Sequence, residues 1–301
     1  MSTCSHRPIL LTGASGYLGG KLWRELEAQG RRVNCLARNV GKLQVKMAPT
    51  STIVPGDLQD PESLKKAMAG IGCAYYLVPA LASGMSAAEE RLGAGNFAHA
   101  AQQAGVGRLV YLGGPHKAGR PDQAGANAPQ EVPDILRASG VPTVEFRVAL
   151  VLGGSSLSFQ MIRALVEKFP VLFAPRWFDF PVRPLAVSDL LKYLAAATDL
   201  ETEGHAIHEL GGPQATTYGA LMLEYARQRG LRRSMLPLPL RFSNLSSLGL
   251  ALVAPVRMRA ARQLIRSIRY PFVVNNEELL QVFGFRPLDF RAALAEALRE
   301  G

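Results

Sequence analysis

Three glycines, Gly13, Gly16 and Gly19, stand between the apolar run Pro8–Thr12 and the helix-like stretch Lys21–Glu27. A strand, a glycine turn and a helix, in that order, make a seat for a pyrophosphate. Gly13 permits the tight turn off the strand, Gly16 lets backbone approach the phosphates, and Gly19 lets the helix lie close to the strand. Backbone N–H groups at the helix start, with the positive end of its dipole, favour an anion there. Gly13, Ser15, Gly16, Tyr17, Leu18 and Gly19 are therefore expected to surround the phosphates of a dinucleotide.

Arg38 closes the second apolar run, where a dinucleotide fold chooses between its two cofactors. An acidic residue there would hold the ribose 2′-hydroxyls of NAD, and an arginine accommodates the 2′-phosphate of NADP. Asn34 to Val40 contains no Asp or Glu, and a guanidinium matches a phosphate with two parallel hydrogen bonds. The reading is NADP(H) in preference to NAD(H); a solvated surface arginine is the alternative. Val78 and Pro79 fall at the carboxyl end of the fourth expected strand, where ligands bind in open α/β sheets, and their backbone would face the cofactor riboses.

Other side chains carry two readings each. His116, after the fifth strand, titrates in the range needed to exchange a proton with a carbonyl or enol, or is simply exposed. Arg147 lies inside a strand, and a buried arginine needs a partner: an acidic substrate, Glu145 or Asp189. Phe159, Met161, Trp177, Phe178 and Phe180 could line an apolar substrate pocket or belong to the core. His205 and His208 lack the companions of a metal site and read as strand histidines; no metal is expected.

The elements that must position these residues alternate. Strands are expected at Pro8–Thr12, Arg32–Ala37, Thr52–Gly56, Cys73–Val78, Arg108–Leu112, Pro142–Leu150 and His205–Leu210. Helices are expected after the glycine loop and at Pro61–Met68, Ser86–Ala104, Glu131–Ser139, Ser156–Lys168, from Ser188 and at Tyr218–Arg229. Residues 113–129 read as a long loop. The alternation calls for an α/β fold with a doubly wound parallel sheet. Residues 1–150 are expected to form the dinucleotide-binding core. Residues 151–301 are expected partly to complete the sheet and to form a smaller C-terminal lobe on the substrate or partner side.

With 48% apolar and 19% charged residues, the chain is globular, not disordered. Cys4, Cys35 and Cys73 are few, odd in number and without metal spacing, which suggests a reduced, cytoplasmic setting. No signal peptide fits ahead of so early a strand. Leu248–Val256 is too short to span a bilayer, so no transmembrane segment is expected. The net charge of +10 could attract nucleic acid, anionic lipid or a phosphorylated ligand. No nucleic-acid module accompanies it, which argues against nucleic acid. Arg257, Arg259, Arg262, Arg266 and Arg269 read as a solvated helix face, with peripheral membrane contact as the alternative.

Thr12-Gly-Ala-Ser-Gly-Tyr-Leu-Gly19 resembles the TGxxGxxG fingerprint of extended and atypical short-chain dehydrogenases/reductases. Leu109–Gly114, Ser158–Arg163, Phe173–Trp177, Val182–Asp189 and Leu248–Val274 are similar to the YbjT-like, NmrA-related NAD(P)H-binding subfamily, so the resemblance covers nearly the whole chain. It implies a Rossmann-type fold, and that Asp57 accepts from the adenine amine with Leu58 packed beside the ring. A helix cap is the other reading of Asp57.

The resemblance also implies a tyrosine–lysine pair and a serine or threonine after the fifth strand, and here the chain departs from it. The one Tyr-x-x-x-Lys match, Tyr17–Lys21, lies in the phosphate loop, and Gly113 and Gly114 follow the fifth strand. The expected activity is hydride transfer to a small apolar carbonyl or quinone-like acceptor, with the proton from water or His116. The rival is a non-catalytic redox sensor or assembly factor that binds the cofactor and acts through a protein or membrane partner.

Overall fold

The computed structural model describes residues 7–44, 51–78, 85–115, 128–201, 204–237 and 274–301. Strands β1 (Ile9–Leu11), β2 (Val33–Ala37), β3 (Thr52–Pro55), β4 (Cys73–Tyr76), β5 (Arg108–Gly113) and β6 (Thr143–Val148) join His205–Leu210 in one seven-stranded sheet. The order is 205–210, β6, β5, β4, β1, β2, β3. The pairings from β3 through β6 are parallel. Strand order reverses direction at β1, between β4 and β2, the switch point at which such sheets open a crevice at their carboxyl ends.

Helices α1 (Tyr17–Ala28), α2 (Gly41–Gln44), α3 (Pro61–Met68), α4 (Ala87–Gln103) and α5 (Ala128–Ala138) fall between the strands. Local chemistry fixes several starts. Asp60 caps α3, accepting from the N–H groups of Glu62 and Ser63, with Pro61 at the first helical position. Ser86 and Glu89 form a reciprocal capping box on α4. One face of the sheet buries Leu10, Ala74, Tyr76, Leu109 and Tyr111 with Phe97 of α4 and Leu136 of α5. The loop expected over residues 113–129 is shorter at both ends, since Gly113 completes β5 and α5 begins at Ala128.

The chain divides into two compact units. The first comprises residues 1–113, 117–147 and 191–208, so a late segment returns to the sheet. There the Tyr75 hydroxyl donates to the Leu194 carbonyl at 2.6 Å. The second comprises residues 114–116, 148–190 and 209–301. In it, α6 (Leu157–Lys168), α8 (Tyr218–Gln228) and α10 (Phe290–Glu300) share a core that includes Phe159, Ile162, Leu221, Tyr225 and Leu294. Helix α7 (Val187–Ala196) precedes α8, and α9 (Asn276–Phe283) precedes α10. Two-stranded parallel pairs join Val151–Leu152 to Leu185–Ala186 and Val171–Ala174 to Ser234–Pro237. No helix among the described residues is long and apolar enough to cross a membrane. Cys4, the Leu248–Val256 run and the five arginines after it lie outside the described residues.

Candidate cofactor site

The glycine loop sits at the switch point and is held there by backbone. Thr12 bridges β1 and β4: its hydroxyl donates to the Tyr75 carbonyl at 2.8 Å and accepts from the Leu77 N–H at 2.9 Å. Gly13 follows with φ of 73°, a conformation that disfavours any side chain. A Cβ there would lie 2.2 Å from the Leu77 carbonyl oxygen, and one at Gly19 would lie 2.2 Å from the Gly13 oxygen. Gly16 differs. A Cβ there meets only the Gly13 oxygen, at 3.2 Å, and both Ser15 and Gly16 are exposed. The fold itself requires Gly13 and Gly19, whereas Gly16 is left bare towards solvent.

Helix α1 starts at Tyr17 with Gly16 as an extended N-cap that offers no side-chain hydrogen bond, and its first turn holds no acid. A helix start uncapped by side chains, beside a glycine that leaves room, suits the pyrophosphate of a dinucleotide. Tyr17 and Leu18 are partly buried in that first turn. The Tyr17 ring lies under the Lys21 ammonium at 5.4 Å, one helical turn on, so the pair makes a cation–π contact within α1.

Arg38 follows β2 and is exposed, as is Asn39. Asp57 follows β3, and its carboxylate accepts from the Gln59 N–H at 3.0 Å, forming a local turn. The cap of α3 is Asp60, so the cap reading of Asp57 does not apply. Leu58 is 9% exposed and belongs to the sheet–helix core. Its Cβ would be 3.1 Å from a Cβ built at Gly93 of α4, and the Asn96 amide donates to its carbonyl at 2.9 Å. Val78 packs partly buried against the same core. Pro79 and His116 lie outside the described residues.

Beyond the switch point, β4, β5 and β6 carry a row, at the end of β4 and inside β5 and β6, that sequence reading did not assemble. Tyr76, Tyr111 and Glu145 are register partners across the three strands. The two rings lie 6.3 Å apart between centroids. Arg147 donates to the fully buried Glu145 at 2.7 Å, and Arg137 of α5 donates to its other oxygen. Of the partners offered to Arg147 by the sequence, the structure thus supplies Glu145, two residues away and on the same strand face. Glu90 of α4 is 6% exposed, and burial raises its carboxyl pKa. The Tyr111 hydroxyl pKa is raised by burial first and then by Glu145, Tyr76 and Glu90, with Arg147 opposing. The spacing of Glu145 and Arg147 was the one signal of this row in the sequence.

In the second unit, Phe159 is 0% exposed and packs 5.8 Å from the Tyr225 ring. It belongs to the core of the second unit. Met161 and Phe178 are likewise buried. Trp177 is partly buried and stands edge-on to Phe178 and Tyr218, at 4.4 and 5.6 Å; Phe180 packs partly buried against the same core. His205 is exposed, and His208 lies 5.8 Å from the Phe146 ring. No group of side chains that could hold a metal occurs among the described residues.

Residues 13–149 match the NAD(P)H-binding family. The 3-beta-hydroxysteroid dehydrogenase of Mycolicibacterium neoaurum is 33% identical over 114 residues, 34% of this chain and 31% of that protein. The photosystem II assembly factor Ycf39 of Cyanophora paradoxa is 40% identical over 63 residues, 21% of this chain and 20% of that protein. The chain thus spans less than a third of the length of either relative. Among solved structures, Citrobacter sp. triphenylmethane reductase complexed with NADP(H) aligns at TM-score 0.75 and 19% identity, over 96% of this chain and 99% of that one. The NADPH-bound quinone oxidoreductase of Escherichia coli aligns at 0.72 and 20%, over 96% and 99%. A Bordetella bronchiseptica enzyme in complex with NAD+ aligns at 0.69 and 16%, over 98% of each chain. At these identities the structures share a fold, and they hold either cofactor. With its glycine loop at the switch point of a parallel sheet, the part of the chain that matches the NAD(P)H-binding family shares the fold of these cofactor-bound structures.

Proposed function

We propose that the chain is an NADPH-dependent reductase of a small, fairly apolar carbonyl or quinone-like acceptor. The observation that carries this reading is the close fit of Gly13 against Leu77, which sets the phosphate loop directly beside the carboxyl ends of β4 to β6. A dinucleotide anchored there would run along that edge of the sheet. In this reading the first turn of α1 and the bare Gly16 hold the pyrophosphate, and Arg38 takes the 2′-phosphate. Asp57 accepts from the adenine amine, and the backbone at Val78 and Pro79 meets the riboses. Arg147 acts by holding Glu145 in place and not by binding an acidic substrate. Bound NADPH supplies the hydride. The chain orients the ring and excludes water, and the proton reaches the acceptor from a group after or within β5, His116 among them.

The test is turnover. Purified protein, given NADPH and a panel of quinones, aldehydes and ketones, should oxidise the cofactor many times per site. A second reading, a cofactor-binding redox sensor or assembly factor, is favoured by the similarity to Ycf39. Tight NADPH binding with no acceptor reduced would overturn the first reading and leave the second.

A further inference from the structure

We propose that the Tyr111 hydroxyl is the proton donor of this reduction; the inference rests on the reductase reading above. The geometry starts at Gly113, the last residue of β5. A Cβ built there would lie 2.8 Å from Tyr111 Cε1, 3.1 Å from its Oη and 3.2 Å from Cζ. The Tyr111 ring therefore leans along its own strand towards the carboxyl end, and its hydroxyl fills the space a side chain at 113 would need. That end of a parallel sheet is where ligands meet the fold. A glycine at 113 is what allows a tyrosine two residues earlier to reach it.

The surroundings keep that hydroxyl a donor. Tyr76 stands on one side of it in register and Glu145 on the other, with Arg147 beside Gly113. Glu90 faces the row from α4, close enough to raise the pKa of both tyrosines, and Arg137 reaches Glu145 from α5. A phenol whose pKa is raised stays protonated at neutral pH. An alkoxide is a stronger base still, so the transfer runs downhill.

The step balances. The carbonyl carbon gains the hydride that NADPH supplies, the C=O π pair moves to oxygen, and that oxygen takes the proton from Tyr111 Oη. Alcohol, NADP+ and a tyrosinate result. The tyrosinate regains its proton from solvent.

Tyr111→Phe keeps the ring and removes the hydroxyl. With acetophenone as the probe acceptor, kcat should fall roughly 10²–10⁴-fold, while calorimetric affinity for NADPH stays unchanged. A second readout needs no turnover. In the complex with NADP+ and acetophenone, the carbonyl infrared stretch should lie lower in the wild type than in Tyr111→Phe, because a hydrogen bond to the oxygen is lost. Gly113→Ser, which forces the ring aside, should give the same infrared shift as Tyr111→Phe. An identical stretch in wild type and Tyr111→Phe would overturn the proposal, as would a kcat within about threefold of the wild type. Should the wild type bind NADPH and turn over no acceptor, the reductase reading falls, and the proton-donor role falls with it. The infrared comparison then separately decides whether Tyr111 meets a carbonyl.

Discussion

The sheet presents two working ends that are built in opposite ways. At β1 the site is made by side chains that are missing: Gly13 and Gly19 let backbone touch backbone, and Gly16 leaves the helix start open. At β4 to β6 it is made by side chains that crowd together, with Tyr76, Tyr111 and Glu145 in register and Arg147 and Arg137 sharing one buried carboxylate. At the first end Gly13 and Gly19 tolerate no added atom, and at the second the buried carboxylate needs its arginines. Substitutions should therefore fail differently at the two ends.

The largest expected effect is at Gly13. Alanine there combines a left-handed backbone with a 2.2 Å approach to the Leu77 oxygen, a cost of about 2–5 kcal/mol. Urea denaturation should show this loss whether or not NADPH is present. Gly16→Val should cost only about 1 kcal/mol of stability, as an N-cap exchange does, and abolish NADPH binding by calorimetry, since a branched side chain blocks the close approach. Equal loss of stability in both variants would erase the distinction between a fold-required glycine and a ligand-required one. A folded Gly16→Val that binds NADPH normally would remove the phosphate site altogether.

Next is Arg147, at the crowded end. Removing it leaves Glu145, which is 0% exposed, with Arg137 as the remaining arginine against it. An incompletely compensated buried carboxylate costs about 3 kcal/mol. Arg147→Ala should lower the unfolding free energy by that amount, and Glu145→Gln in the same background should recover part of it. No loss in Arg147→Ala would mean that Glu145 is satisfied without Arg147.

The same contrast decides what the sequence discloses. The glycine loop is local, and its three glycines state both the turn and the packing it needs. The strands and major helices were likewise readable, because the apolar runs and the helix starts at Pro61, Ser86 and Ser156 are local signals. The short pairs at Val151–Leu152 and Leu185–Ala186 are not readable, since two residues carry no period. The Tyr76–Tyr111–Glu145 row is hidden for another reason. It exists only through register between strands far apart in the chain, and tyrosines in an apolar run look like core. Asp57 and Asp60 show the limit at one-turn resolution: both are acids before a helix, and geometry gives the cap to Asp60.

A smaller effect sharpens the glycine-loop side. Arg38 is exposed and no carboxylate lies between residues 34 and 40. One charge-assisted contact of about 1.5–3 kcal/mol gives roughly a ten- to hundredfold preference for NADPH over NADH. Arg38→Asp should reverse the preference, by repelling the phosphate and accepting from the ribose hydroxyls. The preference should shrink as salt rises if the contact stays open to solvent. Equal wild-type affinities for the two cofactors at one ionic strength would make Arg38 surface charge only.

The smallest effect belongs to Glu90, and its sign is set by burial. Its carboxyl pKa is raised in the folded protein, whereas in the unfolded chain it titrates near the ordinary value of about 4.3. Below that value both states hold the proton, and Glu90 costs no more than a neutral amide would. As pH rises, the unfolded chain releases the proton first, so folding must keep a carboxyl protonated that water would ionise. Stability falls through that interval and levels off once the folded carboxyl has also ionised. Glu90→Gln removes the titration, so its melting temperature should match the wild type at acid pH and exceed it increasingly through weakly acidic to neutral pH. Paired thermal melts across that range check this, because titrations common to both proteins cancel in the difference. A difference that does not vary with pH would show that Glu90 titrates alike in both states.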